Sequence, residues 1–216
     1  MKKLVTIIAM VGAAYGAFAQ GTVLFDNNST GEVDVYNTNN VMIGSAKAVG
    51  DTGSNPGSAV WHVALLFSAT AGGGIAQANL TELVDYIPNV NNNAFDGVGS
   101  FEYVLTAGGK EAPVTTPTGS GSGTFEVVSW LGTATTWAAA LAGGATYETQ
   151  GANLVEFTAA MANPSTTPPG IPGSINTTGQ WNGSAILTPV VAVPEPTTIA
   201  LGGLGAAALL LFRRRK

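Results

Sequence analysis

Between residues 20 and 192, short runs of alternating apolar and polar residues are repeatedly cut by Gly, Asn, Ser, Thr and Pro. A period of two marks strands with one buried face, and the interruptions are turn-formers. The pattern therefore predicts an all-β, β-sandwich-like domain rather than an α/β sheet. Residues 60–67 form the clearest run: Trp61, Val63, Leu65 and Phe67 fall on one face and His62 on the other. Residues 101–105 and 124–131 have similar β-branched and aromatic content, and 155–157 and 185–191 are weaker strands. Residues 22–25 and 32–36 flank a turn-rich stretch and predict a hairpin. Helix is expected only briefly, over 137–142, with Thr135 or Thr136 as cap and Gly143-Gly144 as stop, and as a turn or two over 79–86. Residues 113–123 and 163–178 read as long loops, too polar and proline-rich to pack. No repeat of fixed period is present, which removes solenoids and propellers.

The two ends break this pattern. Met1-Lys2-Lys3 is followed by an apolar stretch from Leu4 to Ala14, and Ala17 and Ala19 are small residues placed as a signal peptidase reads them. Residues 1–19 thus read as a signal peptide cleaved before Gln20. At the other end stand Pro194-Glu195-Pro196, an apolar run from Ile199 to Phe212, and Arg213-Arg214-Arg215-Lys216. The prolines make the triplet stiff and extended, open to a processing enzyme. A helix of the apolar run's 14 residues is about 21 Å long, against a hydrocarbon core of about 30 Å, so it spans only with snorkelling arginines and local thinning. The basic end places that terminus on the cytoplasmic side, with the body outside. Gly202/Ala206 and Gly203/Ala207 set small residues four apart, which would let another membrane helix approach closely.

Residues 193–216 closely resemble the PEP-CTERM sorting signal of bacteria that make extracellular polysaccharide. The order is the same: triplet, short hydrophobic helix, basic end. The resemblance implies that Pro194, Glu195 and Pro196 are the recognition triplet and Arg213, Arg214 and Arg215 the cytoplasmic stop. It further implies that an exosortase, a membrane-embedded transpeptidase-like enzyme, cuts near the triplet and removes the helix. It covers 24 of 216 residues and speaks to routing, not to activity. More loosely, the opening QGTVLFDNN and residues 60–67 and 125–137 resemble bodies of verrucomicrobial PEP-CTERM proteins, which implies lineage and no chemistry.

Charge sharpens this division. Eight bases against thirteen acids give a net charge of −5, but only Lys47 and Lys110 lie between the basic ends, whereas every acid except Glu195 lies between Asp26 and Glu156. A body with two bases and twelve acids has no basic patch to displace counterions from phosphates, so nucleic acid is not an expected partner. The absence of cysteine removes disulfides, thiolate metal sites and thiol nucleophiles. The single histidine, His62, has no spacing partner that would complete a triad. Twelve acids offer many pairs for a glycosidase and nominate none. Asp26-Asn27-Asn28-Ser29-Thr30-Gly31 echoes the start of a calcium loop, but its twelfth position is Asn37 rather than Glu, which favours a plain turn. Sequons occur at Asn27, Asn28, Asn79, Asn176 and Asn182, as chance allows in so Asn- and Thr-rich a chain. Trp61, Trp130, Trp137 and Trp181 are candidates for a sugar-stacking platform, although core packing is the commoner use.

The expectation is a non-enzymatic structural protein of the cell envelope or extracellular polysaccharide matrix, without metal or cofactor. Signal peptidase, an exosortase and, before processing, the membrane through residues 199–212 are its expected partners. A carbohydrate-binding or adhesive module on the same scaffold, with polysaccharide as ligand, is the alternative, distinguished by an exposed aromatic strip.

Overall fold

The computed structural model describes residues 20–27, 31–72, 74–91, 96–105, 111–118, 121–150, 154–163, 171–175, 181 and 184–190. The signal peptide and the sorting tail beyond Val190 lie outside these residues, so the expected C-terminal helix is not described. Ten strands are present among the described residues: β1 (Gly21–Leu24), β2 (Val33–Tyr36), β3 (Met42–Ser45), β4 (Val60–Ser68), β5 (Thr81–Tyr86), β6 (Pro113–Thr116), β7 (Gly121–Gly132), β8 (Ala145–Thr149), β9 (Val155–Met161) and β10 (Ala185–Pro189). Eight make one sheet in the order β3-β2-β10-β8-β7-β4-β5, with β9 attached to β7. β1 and β6 pair antiparallel in a second, small sheet. A bridge from Thr22 to Ala162, just past β9, ties that small sheet to the edge of the large one.

β7 makes this sandwich-like arrangement possible. One of its edges pairs β4 from Thr124 to Gly132. Its other edge is divided, residues 121–127 pairing β9 and residues 130–132 pairing β8. The predicted inner face is the observed one. Trp61, Val63, Leu65 and Phe67 of β4 join Phe125, Val127 and Leu131 of β7 in the main core, with Phe25, Phe101 and Trp181 from outside the strands. The opposite face is also covered, Ala64, Leu66, Val128 and Trp130 lying under Ala134, Trp137, Ala140 and Ala145. Burial on both sides explains why β4 reads as a nearly unbroken apolar run.

Several expectations change. The hairpin of 22–25 with 32–36 does not form. β1 pairs β6, whereas β2 joins β3 and runs parallel to β10, because Val33 and Val35 are needed in the large sheet. Residues 79–86 are not helical: one 3₁₀ turn at Gln77–Asn79 precedes β5, whose ladder with β4 outweighs local preference. Residues 113–123 are not one loop, since Val114 and Thr116 are buried in β6 and β7 begins at Gly121. Within 101–105 only Glu102 pairs, through a single bridge to Asp26. β3 is an element absent from the sequence reading.

The short helix is where expected. Thr136 accepts from the Ala139 N–H as N-cap of α1 (Trp137–Ala139), a wider turn follows at Ala140–Gly144, and Gly143 ends it at φ 101°.

Candidate functional site

The covered face of the large sheet gathers the polar residues that the strands place there. His62 on β4 is 3% exposed, and its Nδ1 lies 3.1 Å from both carboxylate oxygens of Asp85 on β5. Its ring stacks on Trp130 at 4.9 Å between centroids and 7° between planes. An imidazole beside a carboxylate is two-thirds of a triad, and a nucleophile has to lie on the same face. Ser129, next along β7, instead lies on the inner side, where its Oγ accepts from Trp61 Nε1 at 2.8 Å and donates to the His62 carbonyl. His62 thus holds a strand pair together and backs Trp130.

Beside it, Glu82 accepts from the Trp137 backbone N–H at 2.8 Å, fastening the capping segment to β5. Burial raises the Glu82 pKa, partly offset by that hydrogen bond. Glu126 is 5% exposed and accepts from Gln77 Nε2 at 2.6 Å; burial pushes its pKa up and the Gln77 bond pulls it down. A groove of about 360 Å³ opens between these attachments, lined by Leu66, Leu80, Glu82, Trp137 and Leu141 among others. Its single carboxylate is already engaged by a backbone donor.

A second group of acids sits where β1 ends. Asp26 bridges Glu102, accepts from Ser174 Oγ at 2.6 Å, and shares a hydrogen bond with Glu111. Burial, then the hydrogen bond and charge of the Asp26 carboxylate and then Glu102, push the Glu111 pKa up to about 8, so Glu111 carries a proton at neutral pH. The neighbouring Asp96 is 2% exposed and accepts from Tyr86 Oη and from the Asn89 and Glu102 N–H groups, which ties Asn89 and Glu102 to the end of β5. Among the described residues no three acidic or imidazole groups are placed to share a metal ion.

The calcium-loop echo loses its geometry at Asn27. That side chain is fully buried, donates to the carbonyls of Gly31 and Gly99, and accepts from the Phe101 N–H at 2.6 Å. Glu32 and Asp34 both accept from Ser45 Oγ. Asn28, Ser29 and Thr30 lie outside the described residues. Of the sequons, Asn27 is buried and Asn79 exposed, and Asn28, Asn176 and Asn182 are not described. The tryptophan platform is overturned: Trp61, Trp130, Trp137 and Trp181 are all at most 4% exposed, because each fills a core. The exposed aromatic strip that the carbohydrate-binding alternative called for is not built from them.

Sequence reading missed Asp85 as the partner of His62 because it expected only a turn or two of helix over 79–86. Alternation of Val84 and Tyr86, which turn to the main core, with Asp85 between them was the available signal. Asp26, Glu102 and Glu111 are 76 and 9 residues apart in sequence, and no local pattern joins them.

The signal-peptidase residues Ala17 and Ala19 lie outside the described residues, and Gln20, the first described, is exposed. The triplet Pro194, Glu195, Pro196 and the bases Arg213, Arg214 and Arg215 are likewise outside them. Among the described residues no helix is long and apolar enough to cross a membrane. No curated protein and no solved structure matches the chain. A family model described as the PEP-CTERM protein-sorting motif matches residues 192–216, one residue wider than the tail read from the sequence. The chain thus carries, at residues 192–216, the PEP-CTERM protein-sorting motif whose triplet, apolar run and basic end were read above.

Proposed function

We propose that this chain is a non-enzymatic structural protein of the cell envelope or extracellular polysaccharide matrix, released to its place by cleavage near Pro194-Glu195-Pro196. The PEP-CTERM motif implies export, an exosortase as processing partner, and a surface or extracellular destination. That motif is the observation that carries the proposal. Support for a structural role comes from how the body uses its reactive groups: His62, Glu82, Asp96 and Glu126 each tie one segment of the fold to another. In this reading the tail anchors the body through residues 199–212 until processing, with the body outside the cytoplasm.

The test compares the native chain with a Pro194→Ala/Glu195→Ala/Pro196→Ala variant in the producing cell. The mature native protein should lack Arg213 to Lys216 by mass and leave the membrane fraction, and the variant should retain both. If the two behave alike, processing at the triplet is wrong. A matrix role predicts that the mature native protein co-fractionates with extracellular polysaccharide and that deleting its gene alters the matrix. Recovery only as free protein in the medium would exclude it.

A further inference from the structure

The point where the folded body lets go of the chain decides how close a processing enzyme has to come to it. β10 runs to Pro189, and Val190 is still held. Its N–H donates to the Thr146 carbonyl at 3.0 Å, and its side chain packs on the core that contains Trp130 and Trp137. Pro194 follows only four residues later. Four residues at full extension reach about 14 Å, so the triplet begins no farther than that from Val190.

The body is wide against that distance. β10 stands third in the order β3-β2-β10-β8-β7-β4-β5. With neighbouring strands about 4.8 Å apart, about 10 Å of sheet lies on one side of the exit and about 19 Å on the other. Both flanking strands turn at the exit end. β2 is parallel to β10 and finishes one residue beyond the Leu187–Val35 pair, which brings the turn at residues 37–41 beside the exit. β8 is antiparallel to β10 and starts at this end, Tyr147 pairing with Pro189, and just ahead of it the Thr133 N–H donates to the Gly144 carbonyl. A protein that grips the triplet within about 14 Å of Val190 therefore meets these two segments as well.

The rim they form is short-chained and uncharged. Thr38 and Asn39 on one side of the exit, and Thr133 and Thr146 on the other, are all exposed. Another protein can cover such a surface without burying an unpaired charge, and the hydroxyl and amide groups suit a partner surface that hydrogen-bonds.

We propose that this rim, residues 37–41 with Thr133 and Thr146, is the surface on which the body rests against its processing enzyme while the triplet is bound. The inference rests on the reading of the tail as an exosortase substrate. It adds that the enzyme contacts the body as well as the triplet, and that β10 stays seated during processing.

The absence of cysteine permits a direct test. Full chains carrying Thr38→Cys, Thr133→Cys or Ala71→Cys are labelled with a benzophenone, presented to the exosortase reconstituted in phosphatidylcholine vesicles, and irradiated. Ala71 is exposed in the connection between β4 and β5, at the opposite end of the sheet. Cross-linked enzyme is read by mass, as is loss of Arg213 to Lys216 in samples kept dark. Labels at 38 and 133 should cross-link to the enzyme and the label at 71 should not. The cross-links should vanish when Pro194→Ala/Glu195→Ala/Pro196→Ala is added, because the contact depends on a bound triplet. If the tail is removed but 38 and 133 cross-link no more than 71, the docking proposal fails and the processing reading stands. Cross-links that persist in the triplet variant also overturn the proposal. If no chain loses its tail, the exosortase reading fails, and the proposal with it.

Discussion

Phe101 lies in an irregular segment, yet its ring is fully buried and meets four others: Phe25 at 4.8 Å, Trp181 at 5.9 Å, Trp61 at 6.2 Å and Tyr86 at 6.5 Å between centroids. Those partners come from β4, from β5 and from two segments outside the strands. Phe101→Ala therefore removes the piece where they meet. Burying about 200 Å² of aromatic surface contributes about 5 kcal/mol at 25 cal/mol per Å², an upper figure because the unfolded chain is not fully extended. Measured Phe→Ala losses in cores of about 3–5 kcal/mol bracket the expectation, which we set at about 4 kcal/mol. Equilibrium urea unfolding of residues 20–192, followed by tryptophan fluorescence, reads this directly. With a slope of about 2–3 kcal/mol per M, the midpoint should fall by roughly 1.5–2 M. Leu105→Ala is the control in the same segment; Leu105 is 72% exposed, and its change should stay within about 0.5 kcal/mol. A shift at Phe101 no larger than that of the control would refute the aromatic junction and the placement of this segment on the core.

Three further outcomes are expected. Glu111 keeps its proton to about pH 8 in the folded body but loses it near 4.5 in the unfolded chain, so from pH 4.5 upward the unfolded state is increasingly favoured and the loss levels off above about 8. Glu111→Gln should flatten this decline in a series of thermal melts; a parallel decline in the variant would exclude a proton held on Glu111. Gly132→Ala would place a Cβ 2.2 Å from the Gly144 carbonyl oxygen and 2.9 Å from Ala145 Cα, so the β7–β8 junction must shift, with a loss of about 1–3 kcal/mol in urea unfolding. Ser129→Ala leaves the buried Trp61 Nε1 without its acceptor and should cost about 1–3 kcal/mol, whereas Trp61→Phe/Ser129→Ala should recover part of that loss in a double-mutant cycle.

How much of this was legible in the sequence depended on the range of each interaction. β4 was readable because its inner face follows a period of two and its ends are marked by Ala59 and Ser68. The Thr136 cap and Gly143 stop were readable for the same reason, each being decided within a few residues. β2 was found as a strand but given the wrong partner, since an Asn- and Gly-rich stretch between two strands suggests a hairpin whether or not the ladder forms. β6 was hidden by threonines and a proline, which look like loop yet suit a short strand when Val114 and Thr116 turn inward. Of the candidate chemistry, the tail was legible because composition, order and position coincide within 24 residues. The His62–Asp85 contact and the Asp26–Glu111 hydrogen bond required tertiary structure, since each joins segments that no local pattern connects.

The pairing of β2 with β10 has a consequence for the order in which the protein is made. β2 and β3 reach the rest of the large sheet only through β10, the last described strand, about 150 residues later in the chain. A chain exported from its N-terminus cannot pair these two early strands into the large sheet until β10 has crossed. Such long-range closure is slow compared with local hairpin formation. Completion of the fold thus coincides with arrival of the sorting triplet, four residues beyond Val190. A body cut or stalled before residue 185 would leave β2 with an unpaired edge, held to the rest only by core packing and by the Gly99 hydrogen bonds to Val33 and Ala46.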